Sequence, residues 1–459
     1  MAGTDEALTA AFRALGTGIS GDVVLAGDDS WDEVRQAWNL AVDQRPVAVV
    51  FPESADDVVA TVRFAGEHGV QIAFNGGGHN AGPLDWSADT LLMKTARMQG
   101  IEIDVDARRA RVQAGTLSKP LAIAVGEHGL SFLAGTSPDV GVIGYVLGGG
   151  YNWMVRKYGL ACNSLLAVEI VTADGHLVRA DAESEPDLFW AVRGGGGNFG
   201  AVTALELALL PHAEIYAGCL FWPIERAGEI LNAWREWART IPAECHTIGR
   251  MLQLPDLPFL PEHLNARSFV LIEAAFIGSA ADGEALVAPL RALGPEFDTV
   301  EMIPMSELSN VNMDPEMPLP YSGEGALLTD LPPAAVAQMI EQFVDSPLLH
   351  VEVRHLGGAL AVAQPHHGAL HCVMEPYLLF TFGLTPDAES RAAVDQQVEH
   401  LFAALAPWNS GRRYLGLTEA RYDPQSIFPI ENYERLQSLK AKYDPTGIFQ
   451  ANHPIAHPA

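Results

Sequence analysis

Cysteine is scarce in this chain: four in 459 residues, at Cys162, Cys219, Cys245 and Cys372, with no C-x-x-C pair. That spacing suggests neither a zinc site nor a disulfide framework, and it fits thiols kept reduced in a cytoplasmic setting. Basic residues are few. Lys and Arg total 28 against 57 Asp and Glu, a formal charge of −29. A field of that sign argues against nucleic acid and anionic membrane surfaces as partners. No apolar run of about 18 residues occurs, so no segment is expected to span a bilayer. The N-terminus, Met-Ala-Gly-Thr-Asp-Glu, has neither the basic nor the apolar region of a signal peptide. Charged residues make up only 19% and hydrophobic ones 48%. This describes a well-packed protein with more than one core, because single cores stop growing near about 250–300 residues.

Glycine is what the chain has in concentrated form. In the stretch 71–82, Gln-Ile-Ala-Phe-Asn-Gly-Gly-Gly-His-Asn-Ala-Gly, a short apolar run reads as the end of a strand. Gly76, Gly77 and Gly78 then open a tight turn closed by His79. Glycine serves where the backbone takes positive φ or a ligand lies against it. Such turns present consecutive N–H groups that hold a phosphate or pyrophosphate without a basic side chain. An anionic dinucleotide would need such local donors here, since the overall field repels it. A strand–turn with a surface histidine is the plainer alternative.

The second cluster runs from Ala134 to Tyr151 and is too glycine-rich for ordinary helix or strand. Interleaved Val140, Val142, Ile143, Val146 and Leu147 set it apart from a flexible linker, so a ligand-cradling loop is expected. The third cluster, Arg193 to Gly200, matches G-x-G-x-x-G by letter. It follows a helical pattern at 187–192 and precedes a strand at 201–209, the reverse of a dinucleotide fingerprint. A nicotinamide-type Rossmann site is therefore not expected.

Between these clusters the pattern predicts an amphipathic helix over 5–15 and a helical or irregular segment over 31–42. A strand is predicted over 48–51. Ser54 to Asp57 has capping-box spacing for the following helix, which Gly69 ends. Two alternating strands occupy 101–104 and 109–114, and a helix follows from Lys119 to His128. Beyond Pro211, helices are predicted over 230–240, 283–293, 331–344 and 387–405. Strands are predicted over 269–276, 351–362 (broken at Gly357-Gly358) and 377–382. Residues 302–328, rich in Pro, Met and Ser, read as a loop over a site. A helix stopped by Asp444-Pro445 closes the chain. There is no internal repeat.

The helix–strand–Gly-Gly-His turn, the glycine stretch some 55 residues later and the segment Asn432 to Phe449 together resemble the FAD-linked oxidases of the vanillyl-alcohol oxidase superfamily. The berberine-bridge-enzyme-like branch is the most similar. The resemblance covers about 44–208 and 411–455. It implies an α+β fold: a two-part FAD-binding domain, from residues 1–210 and 409–459, with an inserted α/β substrate domain over 211–408, of antiparallel sheet and helices. It implies FAD joined covalently to His79. Further cofactor contacts are implied from Asn75, Gly76, Gly77, Gly78, Asn80, Gly135, Thr136, Ser137, Val140, Gly141, Ile143, Gly144, Gly148, Gly149, Tyr151, Gly197, Gly200, Val202 and Asn452. No metal is implied.

Where many members carry a second, cysteinyl link, this chain has Ser137, so a single bond at His79 is expected. Asn75, Asp139 and Tyr145 also depart, standing where arginine, threonine and histidine are common; those changes leave the pyrophosphate contacts and the substrate class open. Val140 sits where a modest side chain accompanies oxygen reactivity. A flavin supplies the redox step and the protein the positioning. The base that takes the substrate proton is expected to be Tyr414, from a Tyr-x-Asn position that reads Tyr-Leu-Gly here. Tyr377 and Glu352 are the other candidates. Glu352 and Arg354 alternate along one strand face, directed either to the flavin or to solvent. The resulting expectation is an oxidase of a small specialised metabolite, with O₂ as acceptor. The alternatives are a dehydrogenase of the same fold and a flavoprotein that binds without turnover. Oligomeric state is not readable from the sequence.

Overall fold

The computed structural model describes residues 2–84, 86, 89–256 and 264–458. Short apolar strands build its first sheet, ordered Asp22–Leu25, Ala48–Phe51, Thr90–Lys94, Gln71–Asn75 and Phe449–Gln450. The central pairings are parallel, and these strands are buried almost throughout, as parallel strands covered on both faces are. The helix Ala55–His68 makes the crossover, with the Ser54 side chain accepting the Asp57 N–H and Gly69 ending it at φ +67°. The Asp57 carboxylate does not complete a capping box with Ser54. It accepts N–H groups of Ser20, Gly21 and Glu53 instead, tying down the chain after the first helix. At the far end of the sequence, Phe449 and Gln450 pair in parallel with Ile72 and Ala73. The C-terminus therefore lies beside the cofactor turn.

A second sheet is wholly antiparallel, in the order Ile101–Asp104, Arg109–Gln113, Ala201–Ala208, Leu165–Val171, Leu177–Asp181. The third is a large antiparallel sheet: Phe297–Asp298, Glu214–Pro223, Ser268–Phe276, Cys245–Gln253, His350–His355, Tyr377–Leu384, Tyr321–Leu328, with Glu301–Pro304 paired to Glu214–Pro223. Helices Ala227–Ala238, Ala280–Arg291, Pro333–Phe343 and Ala388–Ala404 share one core with this sheet, centred on Trp222, Trp234 and Phe343. Ile248, Ala275, Leu327 and Leu378 instead join the core of the other two sheets. The strands thus alternate between a helix-facing and a cavity-facing set, as period-two side chains must.

Several expectations need correction. The first helix runs from Ala2 to Gly18, and only Trp31–Val34 of the next segment is helical. The second glycine cluster does contain a helix, Val142–Leu147. Its Val142, Ile143, Val146 and Leu147 are buried, while a Cβ on Gly144 would meet nothing within 4 Å. Residues 302–328 are not one loop. They include part of the strand Glu301–Pro304, a 3₁₀ stretch Met305–Asn310 and the strand Tyr321–Leu328, so only 311–320 crosses the site.

Candidate flavin and substrate site

The glycine turns meet backbone to backbone. A Cβ on Gly77 would lie 3.1 Å from the Gly141 nitrogen, and one on Gly141 would lie 3.0 Å from the Gly76 carbonyl. Gly78 takes φ +86°, and a Cβ there would lie 2.9 Å from Asn75 Nδ2 and 3.0 Å from the Trp38 nitrogen. Among the described residues, the N–H groups of 76–80, and those of 135–137 and 139–141, have no protein acceptor. Both runs line one cavity. Two runs of free donors against a glycine wall are what a dinucleotide pyrophosphate requires, so the residues present fit FAD.

Of the cofactor contacts expected from sequence, Asn75 to Asn80, Gly135 to Ser137, Val140, Gly141, Ile143, Gly144, Gly148, Tyr151, Gly197, Gly200, Val202 and Asn452 all line this cavity. Gly149 does not: a Cβ there would point at Leu370 and the Tyr414 hydroxyl, and Gly150 takes its place on the wall.

His79 stands at the turn with its ring stacked on Trp38, centroids 4.3 Å apart and planes 20° apart. Its Nε2 is buried without an aligned hydrogen bond, and Asp139 Oδ1 lies 3.2 Å away. Asp139 also accepts from Trp38 Nε1 at 2.5 Å and Ser137 Oγ at 3.2 Å. Burial would raise the Asp139 pKa, but His79, Trp38 and Ser137 outweigh it and hold the carboxyl below its ordinary value. The Tyr321 hydroxyl shares its one proton between two acceptors, the His79 carbonyl at 3.2 Å and Glu419 Oε1 at 3.1 Å. Trp38 and Tyr321 escaped the sequence reading because each lies far along the chain from the turn it serves.

The opposite wall comes from the large sheet. His350, Arg354, Phe380 and Phe382 line the cavity, with Asp314 from the crossing loop and Tyr414. Tyr414 is 4% exposed, and its hydroxyl has no hydrogen-bond partner among the described residues. Burial pushes that hydroxyl well above its ordinary pKa, and the Arg354 charge opposes this only weakly. Burial also lowers His350 to about 3, so it is neutral, and raises Asp314 to about 6.

The other two base candidates fare differently. Tyr377 is not brought to the cavity; it belongs to the helix-facing core, opposite in strand parity to Phe380 and Phe382. That parity is readable in sequence and would have separated them. Glu352 shares its strand face with His350 and Arg354, and this face is not solvated: Glu352 is 0% and Arg354 4% exposed. Arg354 Nε donates to Glu352 at 2.7 Å, and Arg354 alone of the pair reaches the cavity wall. Burial would raise Glu352, but the charges of Arg354 and Arg250 outweigh it and keep it ionised. Glu352 is thus the counterion of Arg354, whose guanidinium lies 4.8 Å from the Tyr151 ring centroid. Behind them Arg250 and Glu273 form a second buried pair.

The comparisons agree with this geometry. Residues 46–181 match the FAD binding domain family, and residues 424–456 match the berberine and berberine-like family. The chain is 28% identical to (R)-6-hydroxynicotine oxidase of Paenarthrobacter nicotinovorans, over 95% of this chain and 97% of that one. It is 27% identical to glucooligosaccharide oxidase of Sarocladium strictum, over 93% and 91%. Its fold matches berberine bridge enzyme from Eschscholzia californica with a TM-score of 0.83, at 19% identity, over 98% and 99% of the two chains. The protein is an FAD-linked oxidoreductase that carries an FAD binding domain and a berberine and berberine-like segment. No helix among the described residues is long and apolar enough to cross a membrane.

Proposed function

We propose that the protein is an oxidase that removes a hydride from a small specialised metabolite, with FAD bound through a single covalent link at His79 and O₂ as final acceptor. The observation that carries this is convergence. The His79 turn, the 135–151 stretch and Asn452 line the same cavity as Tyr414 and the sheet residues, so a flavin bed and a substrate wall face each other. FAD, when bound, supplies two-electron acceptance. Residues 1–210 and 409–459 act as its binding domain, and 211–408 supply the substrate wall.

In this reading the chain's own residues bind, orient and move one proton. The free N–H groups at 76–80 and 135–141 hold the pyrophosphate. Phe380 and Phe382 confine the substrate and exclude water. Tyr414 Oη is placed to take the substrate proton; burial disfavours the phenolate this requires, and the charge of Arg354 offsets that only in part. Ser137, in the position where a cysteinyl bond would form, leaves His79 as the one attachment point. The four cysteines are free thiols, which supports a reducing, cytoplasmic setting.

Acid precipitation of the purified protein, followed by mass spectrometry of the His79 peptide, tests the link. A flavin adduct on that peptide is expected; a colourless pellet ends the covalent reading. Stopped-flow reoxidation by air tests the acceptor, and slow reoxidation would assign a dehydrogenase instead.

A further inference from the structure

We infer that Asp139 is the positioning residue that makes His79 the nucleophile in its own attachment to FAD. This rests on the covalent reading above and adds to it a residue outside the glycine turn. The imidazole is fixed in three ways. Trp38 stacks on its face, Tyr321 holds its backbone carbonyl, and Asp139 Oδ1 sits 3.2 Å from Nε2. The carboxylate is itself anchored, by Trp38 Nε1 on one oxygen and Ser137 Oγ on the other. The indole that sets the ring plane therefore also aims the carboxylate at the ring edge.

A carboxylate beside one ring nitrogen selects the tautomer with its proton there. With the proton on Nε2, the lone pair is on Nδ1, and Nδ1 is the atom that bonds. The carboxylate also stabilises the positive charge the ring acquires as that bond forms. The balance is simple. A bond forms between Nδ1 and the 8α carbon. One hydrogen leaves the 8α methyl and one leaves Nε2, by way of Asp139. Dioxygen, the oxidant, takes both with two electrons and becomes hydrogen peroxide. The negative charge on Asp139 survives its partial burial because the His79 ring lies beside it and Trp38 Nε1 and Ser137 Oγ donate to it.

The test uses the full-length holoprotein and two readouts: total flavin per chain in the native state, and the share that stays on the chain after acid precipitation. In the wild type nearly all flavin is expected to stay. His79→Ala is expected to hold FAD in the native state and release all of it in acid. Asp139→Asn keeps the shape and one acceptor oxygen but loses the charge. It is expected to hold wild-type total flavin with the acid-stable share at least fivefold lower, and Asp139→Ser is expected to do the same. A wild-type acid-stable share in both Asp139 variants overturns the inference. So does loss of total flavin in both, which would make Asp139 part of the binding wall. If the wild type itself releases flavin as His79→Ala does, the covalent reading is what has failed, and this inference falls with it.

Discussion

At the scale of single residues, buried polar atoms without partners mark the function. The Tyr414 hydroxyl is one, and a native fold seldom leaves such a group unsatisfied without a use. Tyr414→Phe removes it, so stability should be unchanged or slightly higher, while kcat falls about 100-fold. Steady-state kinetics beside a melting curve checks this, and an unchanged kcat would make Tyr414 a packing residue. Glu419 is another such residue. Burial raises its carboxyl to about 8, and Oε2 has no partner while Oε1 accepts from Tyr321. A carboxyl whose folded pKa lies above its unfolded one stabilises the fold fully at low pH and loses that contribution as pH rises through the folded value. Glu419→Gln keeps the accepted bond and cannot ionise. Its Tm advantage over wild type should therefore widen from about pH 4 to about pH 8 and then level off. His79 and its glycines were legible residue by residue because turn chemistry is local. Trp38, Asp314 and Tyr321 were not, because nothing in the chain near them signals a ligand.

At the scale of elements, conformation is stored in a few backbone positions and pairs. Gly78→Ala places a Cβ 2.9 Å from Asn75 Nδ2 at φ +86°. It should cost about 1–3 kcal/mol, read in a denaturant midpoint, and lower the flavin content of the purified protein. On the strand His350–His355, Arg354→Leu strands the Glu352 charge in a fully buried site. The expected loss is about 3–5 kcal/mol, most of it restored when Glu352→Leu is added. Most helices were visible from their periodicity, and the Val142–Leu147 helix was hidden because glycine composition masked four well-placed apolar residues. The strands Glu214–Pro223 and Cys245–Gln253 went unread for a related reason. They are buried on both faces, so they carry no clean alternation.

At the scale of the whole molecule, the two ends of the chain are one unit. Asp444 is fully buried and accepts from Lys440 Nζ at 2.5 Å, from the Ile448 N–H at 2.9 Å and from the Phe449 N–H at 3.0 Å. Lys440 in turn donates to the Asn198 carbonyl at 2.8 Å. This hub seats the last strand against Gln71–Asn75 and brings Asn452 to the cavity. Asp444→Ala should lose about 3–5 kcal/mol and lower flavin occupancy together, read by thermal unfolding and visible absorbance. By itself the sequence determined the cofactor class and the glycine–histidine turn that lines its cavity. Those depend on glycine torsions and a histidine a few positions apart, and short-range chemistry is written in short-range sequence. Tertiary structure alone decided which charges are buried, which strand face lines the cavity, and which carboxylate meets His79. Each of those depends on partners tens or hundreds of residues distant, and no local pattern encodes that distance.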